Sequence, residues 1–120
     1  AARVALGPDL PAMFCNRDDL ADAALKASAE TFDPLWRMPL WAPYQKMLDS
    51  YLADSLNSAA NRHAGAITAA LYLKQFVPDT TPWMHFDVYA WNDSDRPGRP
   101  RGGEAMALRA MFAMLQKRYG

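Results

Sequence analysis

Two short apolar runs open the chain. Arg3 to Gly7 predicts a strand, and Gly7-Pro8-Asp9 predicts the turn closing it, because Gly tolerates positive φ and Pro fixes its own. Ala12-Met13-Phe14-Cys15, after Pro11, predicts a second strand able to pair with the first. Asn16 stands where an N-cap is expected, and Asp18 and Asp19 fall in the first turn, where the helix dipole favours anions. The Ala-rich stretch from Arg17 to about Thr31 reads as the helix. Asp33-Pro34 stops it, since a residue before Pro avoids the α region. Over 34–43, Pro34, Pro39 and Pro43 forbid a regular helix, so Trp36 and Trp41 are expected to anchor an ordered loop.

Pro43 suits a first helical position. Tyr44, Met47, Leu48, Tyr51 and Leu52 then recur at helical spacing, which predicts an amphipathic helix with one buried face. Asp54 to His63 is polar and reads as a connection, with a short strand allowed at Ser55-Leu56. Ala64 to Val77 is apolar nearly all round and predicts a helix buried on most sides, stopped by Pro78.

Trp83 to Trp91 alternates between two uncharged-to-mixed faces, Met84, Phe86, Val88 and Ala90 against Trp83, His85, Asp87, Tyr89 and Trp91. That pattern suits a strand covered on both sides. Asn92 to Gly103 is a loop rich in Pro, Gly and Arg. A last helix is expected from about Glu104 to Arg118, with Leu108, Met111, Phe112, Leu115 and Tyr119 as its apolar stripe and Glu104, Lys117 and Arg118 complementing its dipole. The order is strand, strand, helix, loop, helix, helix, strand, helix. Helices interleaved with a buried strand predict an α/β fold in three layers.

Composition narrows the function classes. The 120 residues hold 13 Lys+Arg and 13 Asp+Glu, for a formal net charge of +0, which argues against a generic nucleic-acid binder. At 51% hydrophobic and 22% charged residues, the chain has the make-up of a folded domain. A chain of this length can bury roughly two-thirds of its unfolded surface. No apolar run approaches the ~18 residues of a membrane span. The single Cys15 excludes an internal disulfide framework and a cysteine metal cluster, and fits a reducing compartment. The chain starts at Ala1 with no secretory leader pattern before Arg3, and is expected to be a piece of something longer.

Candidate chemistry is thin. His85 and Asp87 share a strand face, with Cα atoms about 6.7 Å apart from the ~3.3 Å rise per residue. They read either as a catalytic or metal-binding pair or as a satisfied polar couple, and the absence of an HExxH pattern or a third ligand at fixed offset favours the couple. Asp93-Ser94-Asp95 resembles part of a calcium loop but lacks its Gly and distal Glu, so it reads as a turn. Cys15 has no base nearby and reads as a small buried hydrophobe. Arg96, Arg99 and Arg101 precede a helix N-terminus able to hold an anion, yet no aromatics interleave them for stacking on nucleic acid, so a solvated loop is the simpler reading. No self-contained active site emerges from the residues alone.

Several stretches together resemble the C-terminal portion of the leucyl (cytosol) aminopeptidase family. They are Ala5-Leu6-Gly7; Asp33-Pro34-Leu35-Trp36-Arg37-Met38-Pro39-Leu40; Leu52-Ala53-Asp54; Ala64 to Ala70 with Leu73-Lys74 and Phe76; and Trp83 to Val88. They occur in the family's order and spacing and cover nearly the whole chain. The resemblance implies a mixed sheet flanked by helices, part of a three-layer α/β/α domain of the phosphorylase/hydrolase-like kind. It also implies an exopeptidase removing N-terminal residues from peptides, with two divalent metal ions, zinc or manganese, activating a bridging water. The family's metal-binding signature, Asn-Thr-Asp-Ala-Glu-Gly-Arg, is not in this sequence. On this resemblance residues 1–120 are a C-terminal piece of the catalytic domain. The chain then holds no catalytic residue and no metal ligand, and is inactive by itself.

Two departures from the family pattern bear on specificity. The family's usual Ala-Gly after the His-x-Asp block is Tyr89-Ala90 here, and its later Gly-Ala-Thr-Gly stretch is Gly102-Gly103-Glu104-Ala105. By the resemblance, Tyr89 and Asn92 fall where the family lines the pocket for the substrate's N-terminal side chain. A tyrosine ring there would narrow that pocket, or else simply pack against neighbours. The resemblance further implies a peptide substrate, a homo-oligomer (the family hexamer), no nucleic-acid or membrane partner, and a cytoplasmic location. The alternative is a stand-alone, non-catalytic interaction module of the same fold, with the helix over 64–77 and the tryptophans on a partner surface. Exposed apolar faces and sheet edges would also make the separate chain self-associate.

Overall fold

The computed structural model describes residues 1–48 and 63–120. Strand β1 (Ala12–Cys15) is buried at all four positions and sits at the centre of the sheet. Strand β2 (Trp36–Arg37) runs parallel to it, with Ala12 opposite Trp36, and β3 (Met84–Asp87) runs antiparallel, with Met13 opposite Phe86. The sheet is therefore mixed.

Alternation sorts the side chains of β1 and β3 between two cores. Met13 and Cys15, with Met84 and Phe86, pack under α2 (Asp18–Thr31) through Leu20, Ala21, Ala24 and Ala27, and under the last helix through Met114. Ala12 and Phe14, with Trp83, pack on the opposite face against Ala2 of helix α1 (Ala2–Leu6) and Ala66 and Ala70 of helix α3 (Gly65–Lys74). Helices on both sides of a mixed sheet make the α/β/α layering that the sequence predicts. Phe14 and Met13 are the largest fully buried side chains. Each contributes about 1.5–3 kcal/mol by leaving water.

Several local expectations are corrected. The strand expected over Arg3 to Gly7 is helix α1 instead: Ala2 is buried and Leu6 packs against the same core, while Val4 is exposed. A Cβ on Gly65 would come within 3.1 Å of the Ala1 Cβ, so the small residue at 65 is what lets the N-terminus of α1 rest on α3. Strand β1 consequently pairs with distant segments instead of its sequence neighbour. Asn16 does not cap α2. Arg17 holds the N-cap position without a side-chain bond, and the Asn16 amide instead donates to Thr81 O at 2.8 Å and accepts from Trp83 N at 2.8 Å.

The proline-rich loop is anchored by buried Leu35; Trp36 and Trp41 are exposed. Beyond it, Ala42–Tyr44 form a 3-10 turn and residues 45–48 continue as helix. The later part of that amphipathic repeat, the connection over 54–62 and the strand at Ser55-Leu56 lie outside the described residues. Helix α3 is shorter than expected and buries one face only. Ala66, Ala70 and Leu71 turn inward while Tyr72, Leu73 and Phe76 are exposed.

Helix α4 (Leu108–Tyr119) starts four residues later than expected, and its stripe is reversed. Ala107, Ala110 and Met114 are buried, whereas Leu108, Phe112, Leu115 and Tyr119 are exposed. Alanines on facing helices let α2 and α4 approach closely, and bulky side chains on that face would hold them apart. Glu104 is outside the helix. The strand expected to reach Trp91 breaks after Asp87 and resumes as β4 (Trp91–Asn92), which pairs with β5 (Gly102–Gly103) in a separate hairpin.

The molecule is a slab of 44 × 38 × 17 Å with a radius of gyration of 16.0 Å. A compact domain of this length would have about 13.6 Å.

Candidate functional site

The break between β3 and β4 places both candidate residues. Ala90 sits at φ 55, a left-handed conformation that L side chains adopt at a cost of roughly 1–2 kcal/mol. This turn carries Tyr89 off the sheet. The half-buried Tyr89 donates its phenol to both oxygens of Asp93, at 3.1 and 3.2 Å, and its ring receives the Arg3 guanidinium at 4.6 Å from the centroid.

Asn92 turns the other way. It is buried, donates to Arg99 O at 2.7 Å and Pro100 O at 3.1 Å, and accepts from Arg96 Nε at 3.1 Å. The Arg96 and Arg99 backbones exchange two 2.8 Å hydrogen bonds across Pro97-Gly98, where Gly98 takes φ 71 as a tight turn requires. Tyr89 and Asn92 therefore share one short segment, with Tyr89 reaching α1 and Asn92 stapling the hairpin.

The arginine loop is an ordered hairpin. Arg96 and Arg99 converge on the carboxylate of Glu104, whose side chain is 11% exposed, and Arg96 also lies 3.6 Å from Asp9. That pairing explains why Glu104 does not open α4. The loop is solvent-exposed as expected, with Arg96 and Arg99 paired to Glu104 at its surface, and the Arg101 amide donates to Asp95. A cavity of about 210 Å³ opens beside the hairpin, lined by Asp9, Asp33, Arg96, Arg99 and Met106 among others.

Asp33 escaped notice in the sequence as anything but a helix stop. It is buried, and its two carboxylate oxygens accept the Ala107 and Ala110 amides, capping α4 from across the fold. The signal was the position of an acid just beyond one helix. Its target, more than seventy residues on, has no local mark.

His85 is stacked between Phe14 (5.9 Å) and Trp83 (6.1 Å). Burial holds its imidazole below the ordinary histidine value, with Asp87 pulling weakly the other way. His85 is thus a half-buried ring held between two aromatic neighbours. Asp93 and Asp95 accept turn hydrogen bonds, and Cys15 is buried with its thiol on Arg17 O. Among the described residues no three His, Cys, Asp or Glu side chains are grouped to hold a metal ion, and no helix is long and apolar enough to cross a membrane.

Comparison with known proteins agrees along the chain. The family model for the catalytic domain of the cytosol aminopeptidase family matches residues 1–112. A probable cytosol aminopeptidase of Syntrophobacter fumaroxidans is 42% identical over 113 residues, which are 92% of this chain and 22% of that protein. The cytosol aminopeptidase structure from Coxiella burnetii superposes with a TM-score of 0.86 at 57% identity, covering 100% of this chain and 26% of its own. The bottromycin maturation enzyme BotP in complex with Mn superposes with a TM-score of 0.81 at 33% identity over 98% of this chain and 26% of its own. The chain thus spans about a quarter of the length of these relatives.

Proposed function

The chain belongs to the cytosol aminopeptidase family, and from that premise we propose that it is the C-terminal portion of the catalytic domain of a metal-dependent exopeptidase that removes N-terminal residues from peptides. The observation that carries this reading is the match at 57% identity and a TM-score of 0.86 over the full chain, within only 26% of the Coxiella protein. The slab shape and the large apolar side chains left exposed on α3 and α4 support a chain completed by further structure.

The described residues do not fit the role of metal holders, since they offer no grouped ligand set. In this reading the two ions, zinc or manganese, are held outside this chain. What this chain supplies is the wall of the pocket for the substrate's N-terminal side chain. Tyr89 presents its ring there, and Asn92 holds the hairpin that backs it. The parent is cytoplasmic and a homo-oligomer, a hexamer as in the family, without nucleic-acid or membrane partners.

The test compares the 120-residue chain with a longer one that includes the metal-binding signature. The longer chain should hydrolyse N-terminal amino-acid amides when zinc or manganese is supplied, and the shorter one should not. Robust metal-dependent hydrolysis by the 120 residues alone would overturn the fragment reading, and an inert longer chain would overturn the peptidase reading. The second reading, a stand-alone interaction module, draws on the exposure of Trp36, Trp41 and Phe76. Mass spectrometry of the natural product separates the two, because a native 120-residue product supports the module.

A further inference from the structure

Arg3 is exposed, on a helix that meets the core through Ala2 and Leu6. Its guanidinium instead lies over the ring of Tyr89, and the phenol at the far end of that ring is bound by Asp93. The ring is thus fixed at one end by a hydrogen bond and covered on one face by a cation. Among the described residues no carboxylate lies within ion-pair reach of Arg3, and its guanidinium makes no hydrogen bond. A guanidinium stacked on an aromatic face keeps its in-plane N–H edge open, and that edge matches a carboxylate in bidentate fashion.

We infer that Arg3, held over the Tyr89 ring, is a carboxylate-recognition element at the mouth of the side-chain pocket, so that the N-terminal residue selected is acidic, aspartate or glutamate. This rests on the reading above that Tyr89 lines that pocket. The ring takes up the space a long aliphatic side chain would fill, while the guanidinium edge supplies the charge partner that an acidic side chain needs. Asp93 is a positioning residue in this arrangement, since it orients the ring and leaves the cation unpaired.

The experiment measures kcat and KM of the longer chain on peptides beginning with Asp, Glu, Ala and Leu, for the wild type, Arg3→Ala and Arg3→Lys. Loss of a charge-assisted pair should raise KM for the acidic peptides about tenfold or more with kcat nearly kept, and leave the Ala and Leu peptides unchanged. Arg3→Lys should recover part of the loss, because it keeps the charge without the planar fork. A uniform change over all four peptides, no change, or a wild-type preference for leucine overturns the inference. If the longer chain hydrolyses nothing, the peptidase reading falls by itself. The carboxylate element is then decided on the 120-residue chain, by following the Tyr89 ring resonances while titrating Asp-Ala against Ala-Ala. A shift specific to Asp-Ala and lost in Arg3→Ala sustains it, and no such shift overturns it.

Discussion

The Ala110 amide donates to Asp33 Oδ2 at 3.0 Å, and the Ala107 amide to Oδ1 at 3.3 Å, so a buried acid at the end of α2 serves as the N-cap of α4. Asp33 is itself held in place: its amide donates to Ser28 O and its carbonyl accepts the Ser28 hydroxyl. Removing the carboxylate loses the cap and leaves buried amides without acceptors. Asp33→Ala should destabilise the chain by about 2 kcal/mol or more, and Asp33→Asn by less, because one amide oxygen still accepts. Urea unfolding with an unchanged slope checks both.

Ala90 carries its strain at φ 55, in the left-handed region that favours glycine. Ala90→Gly relieves a left-handed conformation that a Cβ opposes, and should stabilise by roughly 1 kcal/mol. A rise in the thermal midpoint checks it; an unchanged or lower midpoint would show that the turn is not strained.

His85 sets a pH dependence with a definite sign. Burial lowers its folded-state pKa below the unfolded value, with Asp87 opposing. Above the unfolded value both states hold the neutral ring, and stability does not vary on its account. As pH falls below that value, the unfolded chain takes up a proton that the folded chain resists. Stability therefore drops until the folded pKa is passed. Denaturation midpoints between about pH 8 and about pH 5 should fall, and His85→Phe should flatten the curve.

Tyr89 is expected to govern the balance between small and large substrates in the longer chain. Tyr89→Ala should raise kcat/KM for leucine relative to alanine peptides by about tenfold, the scale on which a pocket reads a few methylenes. An unchanged ratio would mean that the ring only packs.

Leu108, Phe112, Leu115 and Tyr119 form an exposed apolar stripe on α4, with Phe112 65% exposed. The 120-residue chain should therefore self-associate, as read by sedimentation. Phe112→Glu should shift it toward monomer. A wild-type monomer at high concentration would contradict this.

Legibility in the sequence followed the size of the residues involved. Helix α2, strands β1 and β3, their two-faced alternation and the family resemblance could all be read, because each rests on a long pattern or on several blocks in order. Arg3 to Leu6 misled because three apolar residues after an arginine are too short a run to show a period; in the fold Ala2 and Leu6, four apart, turn to the same core, as a helix places them. The face of α4 misled because hydrophobicity ranks phenylalanine above alanine, whereas this interface uses Ala107, Ala110, Ala24 and Ala27 to bring two helices together. Asn16 and Asp33 looked like local punctuation, and their partners lie at the other end of the sequence. Of the candidate site, Tyr89 and Asn92 are proposed through the resemblance alone, and the Arg3 contact needs three-dimensional placement.

The Asn16 bonds to Thr81 and Trp83, the Asp33 bonds to Ala107 and Ala110, and the Arg109 bonds to Thr31 and Phe32 span separations of 65, 67, 74, 77, 77 and 78 residues. Loop-closure entropy grows only with the logarithm of length, so the first of these ties bears nearly the whole penalty and the others then close short loops. The two halves of the chain must accordingly dock in one event. Amides in β1 and α4 should exchange with solvent as a single cooperative unit, and the search for that docking, not the formation of any one helix, should set the folding rate.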